Sequence, residues 1–165
     1  MNVRFIVDSM LGSLARKLRI FGFDVIYNAN YNDEHLLKRA ENDKRMILTS
    51  DKGLFQIALK RGLDALLLTD NNDEDRMVSV MLKLGLENCY LTPSRCPICN
   101  GFLIKVSRDE ISKDLPKNIT LRYSEFYKCE SCEKLYWEGS HWRKLKIFSE
   151  HVEQKLRAIK NKNPE

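Results

Sequence analysis

Two Cys-x-x-Cys pairs constrain this chain more than any other feature of its sequence. The first pair is Cys96 and Cys99, and the second, about thirty residues later, is Cys129 and Cys132. Four thiolates in two facing knuckles supply the tetrahedral sulfur shell that Zn²⁺ prefers. Because sulfur fills all four positions, no coordination site stays open for a water nucleophile. The spacing therefore predicts a structural zinc site rather than a catalytic one.

A pair of disulfides is the alternative interpretation of these four cysteines. It leaves the fifth cysteine, Cys89, unpaired, and the sequence opens at Met1–Arg4 without the apolar segment of a secreted protein. Both observations favour zinc. Cys89 itself is expected to be a small buried apolar residue.

Charge divides the chain close to residue 92. Residues 1–92 carry 13 Lys+Arg and 13 Asp+Glu, whereas residues 93–165 carry 15 and 10, so the whole excess of +5 lies with the cysteine-rich half. Such segregation favours a surface that binds a polyanion, although a solubilising face is the simpler alternative. Since no apolar run is long enough to span a bilayer, we expect a cytoplasmic protein with no membrane partner.

Apolar strands and amphipathic helices alternate through the first 92 residues. Strands are predicted over 4–8, 23–27, 45–51 and 64–68, with 89–91 as a last short strand. Each of the first four is followed by a segment with apolar residues at helical spacing. This alternation predicts an α/β fold with a mostly parallel sheet, right-handed crossovers and flanking helices.

The second half has a different pattern. Alternating segments such as 102–106 predict small antiparallel strands around a polar insert over 107–118. Ser149 is a predicted N-cap for a basic amphipathic helix. The expected units are 1–92, an α/β domain; 93–148, a zinc-binding module; and 149–165, a C-terminal helix and tail.

Acidic residues follow several predicted strands. Asp8, Asp51 and Asp70 stand where three strands end, and Asp33 stands at the start of a helix on the same edge. In an open parallel sheet, ligands bind at this edge. Clustered carboxylates repel unless a cation neutralises them, and oxygen ligands of this kind suit Mg²⁺ or Mn²⁺. The pattern therefore predicts metal-dependent hydrolysis of phosphodiesters.

Structural roles are the alternative for each of these acids. Asp33 and Asp51 both suit helix N-caps, and Asp73–Asp75 complement a helix dipole. Ser9 and Ser50 have no recognisable base nearby and no glycine-rich phosphate loop is present, so covalent catalysis is not expected.

The basic half offers candidate contacts to RNA. Trp142 is predicted to stack on unpaired bases, with Arg143, Lys144 and Lys146 close to phosphates. Tyr136 and Trp137 allow the same role, but a small module has few large side chains, so Trp137 is expected in its core.

Several of these motifs, in this order, resemble the Mut7-C family. They are the segment Phe5–Arg19, Asp33 with Leu36 and Leu37, Thr49–Asp51, and the cysteine pairs closing in Tyr136–His141. The similarity spans residue 3 to about 145. It implies a PIN-like ribonuclease domain joined to a zinc ribbon, which needs Mg²⁺ or Mn²⁺ and uses Asp8, Asp33 and Asp51. Larger PIN domains carry a further acid in an insertion that this chain lacks, so Asp70 and Glu34 are the candidates for that role.

Our leading hypothesis is a cytoplasmic ribonuclease whose acidic edge cuts a single-stranded or flexible RNA held by the zinc ribbon. The second is a non-catalytic RNA- or ribosome-associated binding protein with a vestigial acidic site. The third is a protein-interaction adaptor, which predicts no salt-dependent affinity for RNA.

Overall fold

A four-stranded parallel sheet forms the centre of the computed structural model, which describes residues 3–111 and 113–162. The strand order is β2-β1-β3-β4. The strands are β1 (Arg4–Val7), β2 (Asp24–Tyr27), β3 (Met46–Thr49) and β4 (Ala65–Leu67). The helices that follow them are α1 (Gly12–Ile20), α2 (Asp33–Asp43), α3 (Lys52–Lys60) and α4 (Asp73–Lys83). The predicted parallel α/β architecture is confirmed.

Helices cover both faces of this sheet. Successive side chains of a strand point to opposite faces. In β1, Phe5 and Val7 therefore pack in one apolar cluster with residues of α1 and α4, such as Leu14 and Met77. Ile6 packs in a second cluster with residues of α2 and α3. Burial on both faces explains why these strands are almost continuously apolar.

The predicted strand over 89–91 is wrong, because this segment forms no strand. Cys89 is fully buried, as expected. Its backbone groups are bound by side chains of the C-terminal helix instead of a neighbouring strand. Its N–H donates to Glu153 Oε1 at 3.1 Å, and its carbonyl accepts from the Ser149 hydroxyl.

The cysteine-rich half forms a separate antiparallel sheet. Its strands are β5 (Leu103–Val106), β6 (Phe126–Cys129) and β7 (Leu135–Trp137), in that order across the sheet. Two short helices lie between β5 and β6, namely α5 (Arg108–Ile111) and α6 (Lys117–Arg122). The predicted antiparallel strands around a polar insert are thus confirmed.

One long helix, α7 (Ser140–Lys162), ends the described chain. The prediction that Ser149 caps its start is wrong, because Ser149 lies in its interior. Apolar residues at helical spacing continue upstream of Ser149, and this stripe buries the whole helix along one side. Its buried residues are Trp142, Leu145, Phe148, Val152 and Leu156.

Helix α7 completes the core of the α/β domain. Phe148 and Val152 belong to the same apolar cluster as β1 and α1, and the ring of Phe148 lies 5.9 Å from that of Phe21. The helix therefore crosses the expected boundary at residue 148. Within residues 3–111 and 113–162, no helix combines the length and the apolar character needed to cross a membrane.

Buried polar contacts join the first cysteine knuckle to the α/β domain. Arg19 is 4% exposed, and its guanidinium donates to the carbonyls of Pro97 at 3.0 Å and Ile98 at 2.8 Å. Asn100 accepts from the N–H of Val25 at 3.0 Å. The position of the knuckle is thus fixed by hydrogen bonds to α1 and β2.

Asp24 completes this junction. It accepts a hydrogen bond from Asn100 Nδ2 at 2.9 Å and pairs with Arg45 at 2.9 Å and with Arg95 at 3.7 Å. Burial acts to raise the pKa of Asp24, but hydrogen bonds from Arg45 and Asn100 outweigh it and hold the pKa below its ordinary value of 3.8. The ionised carboxylate therefore stabilises the folded protein.

We expect Asp24→Asn to destabilise the protein at neutral pH by about 1.5–3 kcal/mol, because Arg45 loses its carboxylate partner at 2.9 Å and keeps the more distant Asp43 at 3.6 Å. Since the folded-state pKa is depressed, the stabilisation is complete well above pH 3.8 and is lost as the pH falls through the folded-state pKa. Urea unfolding of both proteins between neutral and acid pH measures the difference. Any zinc release in acid affects both proteins alike, so a gap in unfolding free energy that stays constant with pH would contradict the prediction.

Candidate functional site

Four cysteine sulfurs converge between the two knuckles. Their ligand atoms all lie within 4.8 Å of one another, with Sγ separations of 3.6 Å for Cys96 and Cys132 and 3.4 Å for Cys99 and Cys129. All four are free thiols, so the disulfide alternative is wrong. Tetrahedral zinc with Zn–S bonds of about 2.3 Å places its sulfurs about 3.8 Å apart. The cluster therefore suggests a zinc site.

Both knuckles have the same backbone geometry. The Cys96 carbonyl accepts from the N–H of Asn100 at 2.9 Å, and its N–H donates to the Gly101 carbonyl at 2.8 Å. In the second knuckle, the same two bonds tie Cys129 to the residues four and five positions later, each at 3.0 Å. Asn100 and Glu133 occupy equivalent places with φ of 67° and 59°, which closes each turn. This repeated turn aims both cysteines of a pair at one point.

Close packing between the knuckles requires a glycine at position 101. A Cβ added there would lie 2.4 Å from Ser131 Oγ and 3.1 Å from Cys129 Sγ. Both distances are shorter than ordinary van der Waals contact. Gly101 therefore lets the second knuckle approach the first.

Tyr136 supports the cluster from outside. Its hydroxyl lies 3.0 Å from Cys96 Sγ. Burial acts to raise the pKa of Cys96, but hydrogen bonds from Tyr136 and from the knuckle backbone lower it to about 7. Burial and the neighbouring cysteines raise the pKa of Cys99 to about 12. Thiolates this close together repel one another, so a bound cation would stabilise their charge.

At the carboxyl edge of the parallel sheet, Thr49 joins two of the predicted acids. Its hydroxyl donates to Asp8 Oδ2 at 2.8 Å and accepts from the N–H of Asp51 at 3.0 Å. Thr49 is fully buried and Asp8 is 8% exposed. Asp8 Oδ1 also accepts from the Ser9 hydroxyl at 3.2 Å. Asp8 and the backbone of Asp51 are thus held by one buried hydroxyl at the ends of the neighbouring strands β1 and β3.

Asp51 also caps helix α3. Its Oδ1 accepts from the N–H groups of Gly53 at 2.5 Å and Leu54 at 3.1 Å, so the predicted N-cap is confirmed. Asp51 is exposed, and Oδ2 has no hydrogen-bond partner in the described part of the chain. One oxygen of this carboxylate therefore orders the helix while the other faces no protein donor.

The other two predicted acids have different surroundings. Asp33 is exposed in the first turn of α2, whose N-cap is the neighbouring Asn32 rather than Asp33. Asp70 Oδ2 accepts from the Ser79 hydroxyl at 3.0 Å, and the backbone carbonyl of Asp70 accepts from Arg76 Nε at 2.9 Å. Asp73–Asp75 occupy the first turn of α4, as predicted.

The four predicted acids do not form a ready-made ion cage. Among the described residues, the four cysteines are the one group of three or more His, Cys, Asp or Glu side chains close enough to hold a metal ion. Asp8 and Asp51 are linked through Thr49, while Asp33 and Asp70 lie outside that link. The binding of Mg²⁺ or Mn²⁺ at this edge stays a prediction.

The predicted RNA-binding residues lie at the start of α7. Arg143 and Lys144 are exposed, and Lys146 lies 3.5 Å from Glu138. Trp142 is only 9% exposed, and its ring stacks on Tyr127 with an interplanar angle of 9°. Arg143 and Lys144 are therefore available to a ligand, whereas Lys146 has an acidic partner and Trp142 packs against Tyr127.

Thr49 is the site residue that sequence reasoning did not assign a role. A signal was present, because a threonine at the end of an apolar strand beside an acid is a ready hydrogen-bond donor. Its contact with Asp8, which precedes it by forty-one positions in the chain, follows only from the pairing of β1 with β3.

An α/β domain with an acidic sheet edge, joined to a four-cysteine module, is the class of protein that this fold defines. The family model described as the Mut7-C RNAse domain matches residues 3–148. The chain therefore belongs to the Mut7-C family, as its motifs predicted. Comparisons with curated proteins and with solved structures gave no significant match.

Proposed function

We propose that the protein is a divalent-metal-dependent ribonuclease that hydrolyses single-stranded or flexible RNA, with Asp8 and Asp51 in its active site. The observation that carries the proposal is the Thr49 bridge, which ties both residues to the carboxyl edge of the sheet in a chain of an RNAse domain family. Ligands of open parallel sheets bind at this edge.

The donor set of this edge fits Mg²⁺ or Mn²⁺. Magnesium usually keeps several waters and binds through one or two carboxylates together with a substrate phosphate. Asp8 and Asp51 would supply two such carboxylates, so the proposal does not need a cage of four acids. Asp33 and Asp70 are candidates for further contacts. When bound, the ion supplies neutralising charge for the phosphodiester and lowers the pKa of water.

Each residue of the edge has a distinct task in this proposal. Thr49 fixes the rotamer of Asp8 by donating to Oδ2, and the cap to α3 fixes Asp51. Both carboxylates are thereby oriented before RNA binds, which limits the reorganisation that binding requires. Arg143, Lys144 and Lys146 hold phosphates of the strand, and the four cysteines bind a structural zinc ion.

A non-catalytic RNA- or ribosome-associated protein is the second candidate. It is favoured by the separation of the four acids, which form no ion-binding group among the described residues. Both candidates have RNA affinity that falls steeply with salt, because lysine and arginine contacts release counterions. Turnover distinguishes them.

Labelled single-stranded RNA incubated with the purified protein tests the proposal. We expect cleavage with Mn²⁺ or Mg²⁺ and none with a chelator in excess of the added ion. Salt-dependent binding without cleavage under any of these conditions would favour the non-catalytic RNA-binding protein over the ribonuclease. An absence of salt-dependent binding would favour the adaptor instead.

A further inference from the structure

An aromatic cavity lies between α1 and the four-cysteine module. Its volume is about 600 Å³, and Tyr136, Trp137 and Trp142 form part of its wall, so Trp137 is half-buried at this wall rather than enclosed in the core of the module as expected. Ligand pockets have volumes of about 300–1,000 Å³ and are lined mostly by apolar and aromatic side chains. The cavity therefore has the size and the lining of a ligand site. It is separate from the acidic edge of the parallel sheet.

Its polar lining favours an anionic ligand. Arg16, Lys17 and His141 line the cavity, whereas no aspartate or glutamate of the described chain does. Lys17 is paired with Asp73 at 2.7 Å. Arg16 is exposed and forms no ion pair within residues 3–111 and 113–162, and the same holds for His141. Arg16 thus offers a full positive charge beside aromatic rings.

A hydrogen-bond donor in the same wall lacks an acceptor. Trp142 Nε1 is buried and has no hydrogen-bond partner among the described residues. Buried donors without a partner are uncommon in folded proteins, and each calls for an explanation. Nε1 is not exposed to the cavity, so a ligand could accept from it only if the indole ring turned away from Tyr127.

Helix α1 connects this cavity to the acidic edge. It begins at Gly12, four residues after Asp8, and Ser13 and Arg16 already line the cavity. One turn of helix rises about 5.4 Å. If an RNA strand has a phosphate at the acidic edge, a base about one or two nucleotides from that phosphate would therefore lie at the cavity.

We infer that this cavity binds an unpaired nucleobase of the RNA strand, stacked against Trp137 with its phosphate at Arg16, about one or two nucleotides from the bond that is cut. The inference rests on the proposed ribonuclease function and names its substrate more closely. Aromatic rings stack on any base, and a nearby cation binds the backbone. Paired RNA does not present a base in this way, so the cavity selects single-stranded RNA.

A double-mutant cycle between protein and RNA tests the inference. In the full chain carrying Asp8→Asn, which is expected to slow cleavage by about 10²–10³-fold, affinity is measured for an intact single-stranded RNA and for RNAs with one abasic position moved along the strand. We expect one abasic position to weaken binding about tenfold, and Trp137→Leu to weaken binding of intact RNA about as much. For that abasic RNA, Trp137→Leu should have no further effect. Additive losses at every abasic position would overturn the inference.

Arg16→Gln provides a test that does not disturb the aromatic wall. It should weaken RNA binding and reduce the slope of log affinity against log salt by about 0.7. Arg39→Gln, a matched change of an exposed arginine on α2, should leave both unchanged. Equal effects of the two variants would overturn the inference.

Failure of the cavity and failure of the ribonuclease proposal give different results. If the wild-type protein cuts RNA but no cavity variant alters the affinity for RNA, the cavity does not bind a base, while the ribonuclease proposal is supported. If the wild-type protein neither binds nor cuts RNA, both fall.

Discussion

Asp51→Asn is expected to lower RNA cleavage by about 10²–10³-fold, the usual cost of losing one electrostatic contribution at a catalytic centre. The fold should survive, because asparagine is as good an N-cap as aspartate. The amide can still accept from the N–H groups of Gly53 and Leu54, as Asp51 Oδ1 does. The variant thus separates the charge of Asp51 from its capping role. Single-turnover cleavage and urea unfolding measure the two effects.

Two further variants control this experiment. Asp51→Ala removes the cap as well as the charge, so it should also lower the free energy of unfolding by about 1 kcal/mol. Asp64→Asn neutralises an exposed acid immediately before β4, at the opposite edge of the sheet, and should cleave at the wild-type rate. If Asp51→Asn cleaved RNA at the wild-type rate, Asp51 would not be part of the active site.

Loss of zinc is expected to have the second large effect. The free energy of structural zinc binding in small modules is about 10–16 kcal/mol at neutral pH, and it appears as folding free energy. Cys132→Ser removes one of the four sulfur ligands and should abolish stoichiometric zinc binding. Because β5, β6 and β7 build only a small sheet, the module should then unfold. Limited proteolysis should then cut within 93–139, while the parallel-sheet domain resists longer.

Cys89→Ala is the matched control for this prediction. It also removes one thiol, but Cys89 is buried in the core of the α/β domain, away from the cluster, whereas Cys132 is half-buried within it. This variant should lose some stability and still bind one zinc ion per chain. A structural zinc site would be contradicted if Cys132→Ser bound zinc as tightly as the wild type, or if the metal-free module resisted protease.

The features that sequence predicted well depend on local spacing. The cysteine pairs converge because each pair forms its own turn, and the parallel sheet follows from the alternation of short apolar runs with helical stripes. The acids at strand ends reach one edge for the same topological reason. Asp51 as a cap and Cys89 as a buried residue also follow from local preference.

The errors concern contacts between distant segments. Arg19, a charged residue of α1, is buried because the first knuckle brings carbonyl acceptors to it, a contact that the spacing of residues within α1 does not reveal. The strand expected over 89–91 does not form, since Glu153 and Ser149 of α7 bind the backbone of Cys89. Ser149 is a good cap by residue type, but the apolar stripe of α7 continues past it. Residue preference is overridden in each case by packing that local sequence does not contain.

Trp142 illustrates the same limit for the candidate site. A tryptophan beside Arg143 and Lys144 suggested an exposed stacking platform, whereas the ring stacks on Tyr127 and lines a cavity. Its role in binding RNA stays a prediction, now through the cavity rather than the surface.

The most direct test of the ribonuclease proposal is single-turnover cleavage of one labelled single-stranded RNA by the wild type and by Asp8→Asn, in the same Mn²⁺ buffer. Asn at position 8 keeps a carbonyl acceptor for Thr49 and removes the charge. We expect cleavage by the wild type, a loss of about 10²–10³-fold in Asp8→Asn, and similar RNA affinity for both proteins. Equal cleavage rates for the two proteins would contradict the proposal.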